Sequence, residues 1–121
     1  MASPSRIDSR EVNGIKVVRF LDKHLFDERT VREVSEQIAA VLPNDGSPIK
    51  LVLDFAEVGL ISSSLLSKLI LLQRRIDATQ GKLRLSEMSG VLQSVFRTSN
   101  LDRLFTIDRD VRASLDAFGT A

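Results

Sequence analysis

The chain of 121 residues contains no cysteine, no tryptophan and no tyrosine, and a single histidine. Without cysteine there are no disulfides, no thiolate zinc sites and no cysteine nucleophile, and a reducing, cytoplasmic setting is expected. Six Phe make up the whole aromatic complement, so stacking on bases or sugars is not the main device. His24 alone does not make a metal centre, which needs several convergent ligands; no metal and no cofactor are expected. Charge of one sign is also scarce, since 17 Lys and Arg stand against 16 Asp and Glu, a formal net charge of +1. An electrostatic nucleic-acid binder would carry a basic excess or stripe. No apolar run approaches the roughly 20 residues that span a bilayer. The N-terminal "MASPSRIDSREV" lacks the apolar segment of a secretory signal. The expectation is therefore a partner that is neither nucleic acid nor membrane.

What is present suits one domain with one core, expected over residues 7–119 between a loose tail at 1–6 and a short one at 120–121. Asn13-Gly14 separates two strand-like stretches and supplies the positive φ angles of a type I′ hairpin. "DERTVREVSEQIAAVLP" places Val31, Val34, Ile38, Val41 and Leu42 on one helical face. Asp27 is its candidate N-cap, and Glu28 with Arg32 forms an i,i+4 pair. "PIKLVLDF" is nearly continuously apolar, which indicates a strand covered on both faces. "SLLSKLILLQRRIDATQG" reads as a helix striped by Leu65, Leu69, Leu72 and Ile76 and closed by Gly81. "KLRLS" alternates as a strand. A short helix with Val91, Leu92, Val95 and Phe96, a last strand in "LDRLFTI", and a last helix facing Val111, Leu115 and Phe118 inward complete the chain. The order β-β-α-β-α-β-α-β-α gives an α/β fold with a mostly parallel central sheet, an N-terminal hairpin and about four helices.

Ser62, Ser63 and Ser64 stand together between the central strand and the second helix. Serine is a favoured N-cap because its oxygen accepts a backbone N–H that has no intrahelical partner. One serine serves that purpose and three are redundant. The carboxyl end of a parallel strand is where α/β folds place their sites. A helix N-terminus tolerates added negative charge, including a phosphate of about −1.5 to −2 charges. Leu65, Leu66, Leu69, Ile70, Leu71 and Leu72 exceed what one buried face requires, so Leu65 or Leu71 is a candidate for an exposed, partner-binding apolar patch.

"KLVLDFAEVGLISSSLLSKLILLQRRI" resembles the signature of STAS domains, and in particular of bacterial anti-sigma-factor antagonists. That pattern is an apolar strand ending in Asp, a short loop, an apolar pair, Asp-Ser-Ser-Gly and an apolar helix. Asp54 matches the strand-end Asp, Val58 the loop valine, Leu60-Ile61 the apolar pair, and Ser63-Ser64 the two serines. "HLFDERTVREV" and "SGVLQSVFRTSNLDRLFTIDRDVRASLDAF" are similar to the segments on either side, so the likeness runs from about Ile7 to Phe118. It implies a STAS fold and a binding protein rather than an enzyme. The implied function is partner switching: the unmodified protein binds an anti-sigma factor that is also a serine kinase, and phosphorylation of Ser63, with Ser62 and Ser64 as fallback acceptors, releases it. The nucleotide sits on the partner. Ser62, Ser63, Ser64, Leu65, Asp27 and Asp54 are the implied partner-binding residues, with Asp27 near the serine turn and the protein acting as a monomer or weak dimer. Two positions depart from the pattern: Ser62 replaces its Asp, and Leu65 replaces its Gly. These departures favour an alternative, a STAS scaffold or transporter-associated module that is never phosphorylated. A small hydrolase using the serines directly would need an activating base, for which His24 is the sole histidine. Arg97, Arg103, Arg109 and Arg112 are interleaved with Asp102, Asp108 and Asp110 and read as a solvated mixed surface.

Overall fold

The computed structural model describes residues 4–119. In chain order the strands and helices are β1 (Ile7–Val12), β2 (Ile15–Phe20), β3 (His24–Leu25), α1 (Glu28–Val41), β4 (Lys50–Asp54), β5 (Leu60–Ile61), α2 (Ser63–Ala78), β6 (Lys82–Ser86), α3 (Gly90–Thr98), β7 (Thr106–Ile107) and α4 (Val111–Ala117). Asn13 and Gly14 both take positive φ, 51° and 81°, as a type I′ turn requires. They set Val12 opposite Ile15 in an antiparallel hairpin. The main sheet has the order β1-β2-β4-β6-β7, in which β2, β4, β6 and β7 run parallel. β3 and β5, two residues each, form a separate parallel pair.

The two-residue period of a strand assigns β2 and β4 to two cores. Val18, Phe20, Leu51, Leu53 and Phe55 enter the larger one, with Val31, Val34 and Ile38 of α1, Leu65, Leu69 and Ile76 of α2, and Leu92 and Phe96 of α3. The Phe20 and Phe55 rings lie 4.8 Å apart between centroids. Ile15, Val17 and Val52 face the other way, under Val111, Leu115 and Phe118 of α4. There the Arg84 guanidinium lies 5.4 Å from the centre of the Phe118 ring and pairs with Asp108 at 3.1 Å. Burial on both sides is why β4 reads as an apolar run.

Several local expectations change in the folded chain. Arg6, assigned to a loose tail, is tied down: its guanidinium bridges Asp22 at 3.0 Å and Glu33 at 3.2 Å, and its N–H donates to Gln37. The rest of that tail lies partly, and residues 120–121 wholly, outside the described residues. Glu28 and Arg32 do not pair; Arg29 and Glu33 do, at 3.7 Å, because Glu33 is drawn inward by Arg6. Val91 is exposed, while Leu92 and Phe96 carry the α3 contact. A 3₁₀ turn at Leu101–Arg103 occupies the first part of the expected last strand. Gly81 does not supply the left-handed residue that follows α2, which is Gln80 at φ 62°. Its role is close approach: a Cβ there would collide with the Ile49 backbone, whose carbonyl accepts from the Lys82 N–H at 2.8 Å.

Candidate functional site: the serine turn

Two helix N-termini meet beyond the carboxyl end of β4. β3 leads into α1 and β5 leads into α2, and the two strands pair with His24 opposite Leu60 and Leu25 opposite Ile61. The Gly59 and Ser62 N–H groups donate to the Lys23 and Leu25 carbonyls at 2.7 and 3.0 Å. In this register Phe26 and Asp27 follow Leu25 as Ser62 and Ser63 follow Ile61. The pairing thus sets the starts of α1 and α2 side by side.

Each helix has its own cap. The Asp27 carboxylate accepts from the Thr30 N–H at 3.1 Å. Hydrogen bonds from Thr30, its side chain foremost and then its backbone, hold the Asp27 carboxyl below the usual range. On α2 the cap is Ser62, whose Oγ accepts from the Leu65 N–H at 3.2 Å. Ser62 is half-buried, and Ser63 and Ser64 are exposed. Capping therefore explains one serine and leaves two open to solvent.

Leu65 departs from its expected place. It is 1% exposed and belongs to the larger core. Three residues past the cap, it points with Leu69 and Ile76 toward the sheet, so its side chain does not meet a partner. The outward apolar residue of α2 is Leu71, 56% exposed.

Asp54 also stands apart from the serines. Along β4 it shares the face of Val52, where it lines a cleft with Asp8, Arg10, Val17 and Arg19. Arg19 lies between Asp8 and Asp54 in strand register. Burial pushes the Asp54 carboxyl above its usual value, against the opposing effects of the Ala56 N–H and of Arg19 and Arg10, with Glu87 adding to the rise. Its contribution to the serine turn is indirect: Oδ1 accepts from the Ala56 N–H at 2.9 Å and so shapes the loop that follows β4.

His24 is exposed on β3, and among the described residues no hydrogen bond joins it to the serines. No described helix is long and apolar enough to cross a membrane. The sequence placed Leu60 only in the motif's apolar pair and did not single out Phe26; they are 49% and 61% exposed beside the β3–β5 pair. Phe26 immediately precedes the α1 cap, where an apolar residue often packs on the fourth residue of the helix; here its ring is left in solvent. That position was the available signal.

A family model described as "Mlab, STAS domain" matches residues 25–107. The chain belongs to the STAS domain family. Among curated proteins no sequence matches it. This STAS domain resembles the solved anti-sigma-factor antagonist STAS domain protein of Planctomyces limnophilus, with a TM-score of 0.83 at 20% identity over 95% of this chain and 98% of that one. It resembles the Bacillus cell fate determinant SpoIIAA in its phosphorylated form, with a TM-score of 0.68 at 17% identity over 93% and 98%. It also resembles part of the murine Slc26a9 anion transporter, with a TM-score of 0.79 at 14% identity over 93% of this chain and 19% of the transporter. At these identities the likeness is one of fold: the STAS domain has the fold of the anti-sigma-factor antagonists.

Proposed function

We propose that this STAS domain is an anti-sigma-factor antagonist that works by partner switching. The observation that carries the reading is the division of labour in the serine turn. Ser62 caps α2, and Ser63, one residue on, is exposed and free of that task. A phosphate on Ser63 would add about −1.5 to −2 charges at a helix end that accepts them, with no loss to the core.

The unmodified surface exposes Ser63 at the start of α2, and Phe26 and Leu60 are exposed at the β3–β5 pair that leads into α1 and α2. An aromatic side chain that leaves water on docking is a common source of interface energy. The partner is an anti-sigma factor that is also an ATP-dependent serine kinase and carries the nucleotide. Asp27 fixes the start of α1 beside the turn, and Asp54 shapes the loop before it. Phosphorylation of Ser63 then places charge inside the contact and expels the partner.

A second reading, a STAS scaffold or transporter-associated module that is not phosphorylated, draws on two residues. Ser62 supplies a hydroxyl where the antagonist pattern has a carboxylate, and Leu65 is built into the core where that pattern has Gly. Mixing the protein with the anti-sigma kinase of its own cells and MgATP separates the two. One added phosphate, lost in Ser63→Ala and accompanied by release of the kinase, supports switching. Stable binding without a change of mass supports the scaffold. Ester turnover in the absence of any partner would reject both.

A further inference from the structure

Ser64 differs from Ser63 in what surrounds it. It lines a cleft between α1 and α2 together with Glu28, Val31 and Arg32 of α1 and Lys68 of α2. The spacing explains the grouping: Ser64 and Lys68 are four apart on one helix, and Glu28 and Arg32 four apart on the other, so each pair shares a face. Val31 is buried beneath them. Among the described residues neither Arg32 nor Lys68 forms an ion pair with any carboxylate. Two unpaired cations and one carboxylate thus border a serine hydroxyl. Ser63, one residue earlier and about 100° around the helix, does not line this cleft.

We propose that Ser64 is a second phosphorylation site, whose phosphate is held within the molecule by Arg32 and Lys68. It rests on the switching reading only for the identity of the donor. In the transfer, Ser64 Oγ bonds to the γ-phosphorus of a nucleoside triphosphate on a kinase. The bond from that phosphorus to the β-phosphate oxygen breaks, the nucleoside diphosphate leaves with the electron pair, and the serine proton passes to a base on the kinase. The product phosphate has three acceptor oxygens. The Arg32 guanidinium can engage two of them at once, and Lys68 acts as a point charge. Glu28 opposes the arrangement. Adjacent serines therefore have opposite consequences: charge on Ser63 is presented outward to a partner, and charge on Ser64 is neutralised in place and ties α1 to α2.

The test needs no partner. Phosphoserine is installed at position 64 or 63 of the full chain by genetic encoding, and thermal unfolding is followed at low and high salt. Phosphoserine at 64 should raise Tm by about 3 °C at low salt. The rise should disappear in Arg32→Gln/Lys68→Gln, grow in Glu28→Gln and shrink at high salt. Phosphoserine at 63 should show no dependence on Arg32 or Lys68. A change at 64 that is absent, or is unaltered by the double substitution, overturns the clamp. Tandem mass mapping of the protein from its own cells should find phosphate on Ser64, and a phosphate confined to Ser63 overturns the modification. Neither result depends on whether Ser63 releases a partner, so the two readings fail separately.

Discussion

The two faces of the main sheet are covered to different extents. Under α1, α2 and α3, the strands present Val18, Phe20, Leu51, Leu53, Leu83 and Leu85 to a continuous core. On the opposite face α4, seven residues long, packs with Ile15, Val17 and Val52, and Arg19 and Asp54 at the carboxyl ends of β2 and β4 lie outside that core. There the same face turns from apolar to charged, at Arg19 and Asp54 beside Asp8 and Arg10. One short helix covers a small core on this face, and the charged residues outside that core line an open cleft. The broader face can therefore carry the serine turn on a rigid support, while the narrower face holds a partly hydrated cleft.

The comparison would break most visibly at Leu65. If it is a core residue, Leu65→Ala should cost about 2–5 kcal/mol in denaturant unfolding; a loss well under 1 kcal/mol would return it to the surface. Phe118→Ala should cost less, about 1–2 kcal/mol, because this half-buried ring covers the smaller core and stacks with Arg84. An equal cost for the two would erase the distinction between the faces.

A smaller effect sharpens the cleft. The Asp54 carboxyl is raised in the folded chain, chiefly by burial, so the folded state holds this proton more tightly than the unfolded one. That contribution to stability is complete below the ordinary carboxylate range and is lost as pH rises through the elevated value. Asp54→Asn, which keeps an acceptor for the Ala56 N–H, should therefore raise Tm at pH 7, and the advantage should vanish on acidification. An advantage independent of pH would refute the titration of this group. The smallest expected change is in the stability of Ser63→Asp, within about 0.5 kcal/mol of the parent, while partner binding is lost. Unfolding of that variant would mean that Ser63 is not an open position.

Much of the fold was legible because its signals are local. Asn13-Gly14 announced its turn, Asp27 its cap, and the apolar run of β4 its double burial. The serine turn was legible only as a location. Leu65 matched both an apolar stripe and a position expected to face a partner, and one helical turn of sequence does not say which face the core takes. Asp54 sits in a motif with the serines, yet strand alternation sends it to the other side of the sheet. β3 and β5 are too short to show a period, so nothing in the sequence marked Leu60 as exposed, and Phe26, just past β3, was marked only by its place before the α1 cap.

Local preference therefore determined the helices and their starts, the hairpin, and the place where three serines meet a helix, since each depends on the backbone demands of a few neighbouring residues. The tertiary structure decided which serine caps, which stand open, and which cations and aromatics accompany them. The reason is that exposure and company are set by residues distant along the chain, here through the β3–β5 pairing and the packing of α1 on α2.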